Sequence, residues 1–461
     1  MSKSGGTKRI VVALVLCLLA ALIAACGGGN SGGANPSASG GTGPNASGGG
    51  ADTGGTGGGS GAEAGSGGDE QLKGEFVLWT WEPEHPTALA AFNKKYPNIK
   101  MKRVNVAAED VPKKLQTTIA SGGELPDVIR IERGQKAKIF DMGILEDLSA
   151  APYNADTSLL FDYDIPAFSV DGKLVAIPDD MSVAGLAFIK PLAKEYFGTD
   201  DPEEMEKMFT SWDVFIEKGK EVVQKSGGKV KMFPSLGDVN DILKGQRPEP
   251  YFDGNKLNVS ALESVLSALV KFRDAGIVDK LDQWTPAWNA AFGGDKYIFA
   301  ECPVWMPQYV IGPNDKKDDR WALMVPPGGG IVRGGSSHGI PKGAKNAELA
   351  WKWIEFTSMS QEGAEAQKTD GVFTHYKKAY EDPSFTNWTW RNFGSQDIGE
   401  KFFVDISATT KDMPENINDT YLDEAMSIVL QTLAKDSSFG LEQAMDRIKK
   451  ELKAKAPDIT W

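Results

Sequence analysis

The feature that most constrains this chain is an alternation that begins at residue 76. Phe76 to Trp81 (Phe-Val-Leu-Trp-Thr-Trp) is a short aromatic and β-branched run, which reads as a buried strand. Pro86 suits a helix's first turn, and Leu89, Phe92 and Tyr96 follow at helical spacing until Pro97 stops it. Ile99 to Val106 reads as a second strand. Val111, Leu115, Thr118 and Ile119 share one side of a helix that ends at Gly122-Gly123. Asp127 to Ile131 predicts a third strand, followed by a short helix closed at Gly143. Strands alternating with helices imply a parallel α/β sheet. Ligands of such sheets sit beyond the carboxyl ends of the strands. Those ends carry Trp81-Glu82 and Glu132-Arg133, two polar clusters delivered to one rim.

Beyond Asp147 the alternation is less regular. Gly172 to Pro178, then Asp179-Asp180-Met181 and an apolar run to Ile189, predict a strand pair with an acidic turn. Ser211-Trp212 opens a helix. Ser260-Ala-Leu-Glu263 reads as a capping box before Leu262, Val265, Leu266, Leu269 and Phe272. Trp284, Trp288, Phe292, Tyr297, Trp305 and Tyr309 crowd a stretch broken by Gly and Pro. Asn346 begins another helix, and the last carries Leu441, Ala444, Met445, Ile448 and Leu452. The 461 residues suffice for two or three domains. A formal net charge of −13 disfavours nucleic acid and anionic lipid as partners.

The amino terminus carries a different message. Lys3, Lys8 and Arg9 precede an uncharged, mostly aliphatic run from Ile10 to Ala25, the pattern of a secretory signal over residues 1–25. That run is shorter than the roughly 20 residues a membrane-spanning helix needs. Ile23-Ala24-Ala25-Cys26 resembles the lipobox of bacterial lipoproteins, with Ile23 in place of the usual Leu. The resemblance implies that Cys26 carries a diacylglycerol and becomes the new amino terminus. An ordinary signal with a chance cysteine, or an uncleaved anchor, is the alternative. Residues 26–70 continue as a Gly-rich stretch without aromatic or large aliphatic side chains, which predicts a disordered tether. With Cys17 removed and Cys26 lipidated, Cys302 stands alone and no intrachain disulfide forms.

From Gly74 onward the order of landmarks resembles the extracellular solute-binding proteins of carbohydrate ABC transporters, the maltose-binding-like class. The resemblance rests on Trp81-Glu82 after the first strand, Pro126-Asp127-Val128, Gly143-Ile144-Leu145-Glu146-Asp147-Leu148 and Gly172 to Pro178. It continues through Ser211-Trp212-Asp213-Val214-Phe215, Val304-Trp305, and Gly334 to Gly343 leading into Asn346. It implies an α/β fold of two lobes, with a hinge crossed near 183, 336 and 373 and a ligand cleft between the lobes. One lobe would be 74–183 with 336–373, the other 184–335 with 374–461. The family closes around its ligand and presents it to a membrane permease. It needs no cofactor, and no nucleotide-binding Gly-x-x-x-x-Gly-Lys-Ser/Thr loop occurs here.

Sugars offer hydroxyl groups and flat C–H faces, so their sites combine carboxylates and amides with aromatic planes. Trp81 and Glu82 meet both needs, against a reading as a core Trp and a solvated Glu. Asp180 lies where the family places a ligand carboxylate; turn capping is the alternative. Trp305 lies where the family presents a stacking aromatic, whereas Trp284 and Trp288 fit a core equally well. Ser336, Ser337 and His338 follow a Gly-Gly pair at a predicted crossing, and Phe373 lies at the last one. Arg133 reaches a ligand oxygen or pairs with a surface acid.

These readings converge on a monomeric, non-enzymatic importer component, lipid-anchored on the extracytoplasmic face of the cell membrane, that captures an oligosaccharide or glycoside. Two rivals remain in the sequence. A polyamine binder would use Trp81, Glu82 and Asp180 as a cation cage. A glycoside hydrolase would use Glu82 and Asp180 as its carboxyl pair. His85, His338 and His375 form no His-Glu-x-x-His zinc motif, so no metal is expected.

Overall fold

A computed structural model describes residues 72–161, 165–411 and 416–461. The predicted signal, Cys26 and the Gly-rich tether lie outside them. Thirteen strands occur among the described residues. β1 (Gly74–Thr80), β2 (Ile99–Asn105) and β3 (Val128–Glu132) are the three predicted strands. β4 (Ser169–Val170) and β5 (Lys173–Leu174) form a small hairpin, followed by β6 (Ile177–Pro178) and β7 (Val183–Ile189). A second hairpin joins β8 (Phe252–Asp253) to β9 (Lys256–Leu257). β10 (Phe299–Pro303), β11 (Trp321–Met324), β12 (Ile331–Val332) and β13 (Ser336–Gly339) complete the set.

Two main sheets result. The first has the order β2-β1-β3-β13-β6. β1 runs parallel to β2 and β3, but β13 is antiparallel to both β3 and β6. The expected parallel sheet is therefore mixed. A strand returning from residue 336 was invisible to local periodicity. In the second sheet β7 is central, antiparallel to β10, β11 and β12. The predicted strand pair around Asp179-Asp180 is corrected as well: β6 and β7 belong to different sheets, and the acidic segment is the passage between them.

Each sheet has its own core. Phe76, Phe92, Trp353 and Phe356 pack in the first, where Phe92 lies 6.4 Å from Phe76 and 5.2 Å from Trp353 between ring centroids. Phe92 comes from the Pro86–Lys95 helix and Trp353 from the Ala347–Met359 helix. Buried Asp127 ties this core together, accepting from the backbone of Val77 at 2.9 Å and of Asn346 at 2.7 Å. The second core gathers Phe209, Phe215 and Phe299, with Phe299 4.9 Å from Phe215. All seven residues of β7 are buried there. Gly185 is required within it, because a Cβ would meet the Ile406 side chain at 2.4 Å. Cys302, in β10, is fully buried.

Local chemistry sets the helix starts. Ser211 caps the Trp212–Lys225 helix by accepting from Val214 N. The predicted cap at Ser260 is displaced: Asn258 accepts from Ala261 N, and the Ser260 hydroxyl donates to Asn258. The chain passes between the cores at 179–182, 333–335 and 370–373, and these passages bond to one another. Asp179 N donates to Ser336 O at 2.9 Å, Met181 N to Phe373 O at 2.7 Å and Arg333 N to Ser182 O at 2.6 Å.

Candidate functional site

A cleft of about 830 Å³ opens beyond the carboxyl ends of β1 and β3. The first core supplies Trp81, Glu82, Arg130 and Glu132. The second supplies Trp284, Trp305 and Tyr309. The passages contribute Asp180, Arg333 to Ser336, and Gly371 to Phe373. Gly334 and Gly335 have φ of +78° and +93°, a region open to glycine. A Cβ on Gly334 would lie 3.0 Å from Trp305 Nε1, and one on Gly335 would lie 2.9 Å from the Ser182 side chain. The glycine pair thus lets the backbone run against Trp305, whose Nε1 donates to Arg333 O at 3.2 Å and fixes the ring. Trp284 stands 5.9 Å from Trp305, tilted by 30°, and 5.0 Å from Trp288.

Arg130 organises one wall. It projects from β3 between Ile129 and Ile131; its Nη1 is 2.9 Å from Asp179, and its Nη2 is 3.1 Å from Asp180 and 3.3 Å from Glu82. Trp81 lies 5.7 Å from the guanidinium, within cation–π range. Burial is the largest single influence on Glu82 and Asp179 and opposes their ionisation, but Arg130 together with His85 at Glu82, and with His338 and His85 at Asp179, holds both below the usual carboxylate range. Asp180 goes the other way: burial raises it against the pull of Arg130. It accepts from the Ser336 hydroxyl. His85 Nε2 lies 2.9 Å from Glu82, a contact that raises His85 although burial opposes its charge. His338 is pushed down to about 4 by burial. The buried hydroxyl of Tyr309, a residue lining the cleft, has no hydrogen-bond partner among the described residues.

Arg333 organises a second cluster. Its Nη2 is 2.8 Å from Asp241 and its Nε 3.2 Å from Glu301. Burial drives Glu301 well above the carboxylate range and raises Asp238 to about 7. Asp238 accepts from Trp288 Nε1 at 3.0 Å and Gln283 Nε2 at 2.8 Å.

Of the residues singled out from sequence, Trp81, Glu82, Asp180, Trp305, Ser336 and Phe373 line this cleft together. Phe373 is nearly fully buried and packs 4.6 Å from Phe403. Ser337 and Arg133 are not brought to it. Ser337 is fully buried in β13, which is paired on both sides. Arg133 is buried with its guanidinium 6.0 Å from the Phe168 ring. His338 lies behind the wall, 3.6 Å from Asp179. The two tryptophans left open separate: Trp284 is 54 % exposed at the cleft, whereas Trp288 is buried. Sequence reasoning passed over Arg130, Tyr309 and Arg333. Arg130 had a signal: a charge set between Ile129 and Ile131 inside a buried strand must be paired, and its partners had to come from nearby acids.

Two sheets with separate cores, three connecting passages and a polar, aromatic cleft define a two-lobe α/β binding protein of the periplasmic type. The chain belongs to the bacterial extracellular solute-binding protein family, whose family model matches residues 87–391, and membership carries an extracytoplasmic location. A lactose-binding protein of Rhizobium radiobacter is 29 % identical over 277 residues, covering 55 % of this chain and 61 % of its own length. An arabinooligosaccharide-binding protein of Bacillus subtilis is 22 % identical over 421 residues, covering 83 % of this chain and 92 % of its own. A solved extracellular solute-binding protein of family 1 superposes with a TM-score of 0.72 at 22 % identity, covering 82 % of this chain and 99 % of that one. An ABC transporter associated binding protein of B. animalis subsp. lactis, solved with β-1,6-galactobiose, gives 0.69 at 20 % identity, covering 84 % and 98 %.

Proposed function

We propose that this protein is the substrate-capturing component of an ABC importer for a neutral oligosaccharide or glycoside. The observation that carries the reading is the convergence in one cleft of Trp81, Trp284, Trp305 and Tyr309 with Glu82, Asp180, Arg130 and Arg333. Aromatic faces receive sugar C–H surfaces, while carboxylates and guanidines receive hydroxyl groups. Relatives bearing the names of lactose- and arabinooligosaccharide-binding proteins support the same class. Binding without catalysis is supported by the carboxylates: Glu82 and Asp180 are both committed to Nη2 of Arg130, which disfavours a free acid and nucleophile across a glycosidic bond.

In this reading 74–183 with 336–373 and 184–335 with 374–461 move as two lobes. Ligand favours the closed arrangement through contacts made only there. At the last passage Gln308 Nε2 donates to Asp370 O, 2.8 Å away. Cys26 would hold the monomer to the membrane by its lipid while the closed form meets a permease.

The test is a thermal-shift titration of residues 71–461 with oligosaccharides, monosaccharides and polyamines. A ligand that binds only the folded state raises the midpoint with its concentration. A saccharide-specific shift, with the sugar recovered uncleaved, is the expected result. Shifts with polyamines alone, or product sugars in the incubation, would overturn it.

A further inference from the structure

Trp284 and Arg333 line the cleft and also a second chamber of about 300 Å³. We infer that this chamber is a further glycosyl subsite beyond Trp284, so that the ligand is an oligosaccharide of three or more units. The inference rests on the carbohydrate reading above and deepens it. Its first support is Asn240, which lines the chamber from the Leu236–Gly245 helix. Asn240 is only 7 % exposed, and its Oδ1 has no hydrogen-bond partner among the described residues. A buried amide oxygen without a partner is costly unless something donates to it. A sugar hydroxyl in the chamber would be that donor.

The charges of the chamber point to a neutral occupant. Lys244 is held by both oxygens of Asp423 at 2.6 Å. Asp241 takes Arg333 at 2.8 Å and Gln283 at 3.1 Å, and Asp282 pairs with Lys435 at 3.0 Å. With these ions matched internally, the chamber offers neither a free cation for an anionic group nor a free carboxylate cluster for an amine. A volume of about 300 Å³ corresponds to about ten waters, a space suited to a single sugar ring with its hydroxyls.

Trp284 is the boundary. It is a bulky residue with φ of +64°, a conformation that side chains rarely adopt and that is found where the surrounding structure enforces it. Its ring bears on Trp305 on the cleft side and on Trp288 beneath. A chain stacked on Trp305 and Trp284 would place its next unit in the chamber.

The experiment is calorimetric titration of residues 71–461 with arabino-, β-1,6-galacto- and malto-oligosaccharides of defined length. Wild type is compared with Ser427→Trp, which fills the chamber from an exposed helical position, and with Asn240→Ala. The expected result is a gain of at least about tenfold on going from two to three units in the series that binds. Ser427→Trp abolishes the gain while two-unit binding is kept, and Asn240→Ala reduces it. If two-unit sugars bind but the third unit adds nothing, or Ser427→Trp keeps the gain, the chamber is not a subsite and the carbohydrate reading stands. If no saccharide of any length binds wild type, both inferences fall.

Discussion

Arg130 and Arg333 each gather acids at the same cleft, and they treat charge in opposite ways. Around Arg130 the carboxylates of Glu82 and Asp179 are held ionised, since His85 meets Glu82 and Ser358 and Gln367 donate to Asp179, while Asp180 alone is raised, by burial and by its two acidic neighbours. Around Arg333 the donors are fewer. Glu301 has Arg333 on one oxygen, and Asp238 has only the neutral Trp288 and Gln283, so burial pushes both toward the protonated state. Burial alone does not decide whether a carboxylate stays charged; the balance of donors and neighbouring acids facing it does. A ligand hydroxyl both donates and accepts, and the cleft meets it with ionised acceptors on one wall and a guanidinium backed by protonatable acids on the other.

The largest effect expected from this contrast is in stability. Arg130→Met leaves buried Asp179 and the largely buried Glu82 and Asp180 facing one another and should cost about 3–5 kcal/mol in urea unfolding at pH 8. Arg333→Met should cost less, and less still at pH 5, because Glu301 and Asp238 can take up protons. Equal costs for the two variants at both pH values would break the comparison.

The pH dependence of stability should differ in sign on the two sides. Asp238 has a folded value near 7 against 3.8 unfolded, so the folded state holds the extra proton between them. Its contribution to stability therefore falls as pH rises from about 4 to 7, by on the order of 3 kcal/mol. Glu82 and Asp179 are depressed, so their contribution is present above the ordinary carboxylate range and is lost on acidification through their folded values. Asp238→Asn keeps an oxygen for Trp288 and Gln283 and should flatten the decline between pH 4 and 7. An unchanged slope would sink the assignment.

Ligand binding should register the aromatic face more modestly. Trp305→Ala should weaken the bound saccharide by about 2 kcal/mol, some thirtyfold, with the fold retained by circular dichroism. The smallest effect belongs to a rim contact between the two cores. Lys138 and Glu424 lie 2.7 Å apart and both are about one-third exposed, so Lys138→Ala should change stability by less than about 1 kcal/mol. A larger loss would mean that this pair, and not the two arginine clusters, holds the cores together.

The first three strands were legible because Phe76–Trp81, Ile99–Val106 and Asp127–Ile131 are each bounded by turn residues and helical periods. What escaped was long-range. Nothing near Pro178 says that the next apolar run joins another sheet, and nothing near Ser336 says that it lies antiparallel beside β3. The same limit governed the site. Trp81, Glu82, Asp180 and Trp305 stand at the ends of recognisable runs, whereas Tyr309 and Arg333 acquire meaning only when separate segments meet. Ser260 misled for a smaller reason: Asn258, two residues earlier, is an equally good cap and was the one used. Trp284 and Trp288 were indistinguishable because one turn of backbone, set by a positive φ, sends one ring to the cleft and leaves the other inside.

Cys302 offers an internal clock. It lies in β10, an edge strand of the second sheet, with no exposed surface, and burial raises its thiol well above the ordinary value, so the reactive thiolate is suppressed. A chain begun at residue 71 contains no other cysteine. Alkylation of that chain then proceeds only when β10 opens, and the labelling rate reads how often the second sheet comes apart. Saturating ligand that clamps both cores should slow that clock, and mass spectrometry would follow it one label at a time without any engineered probe.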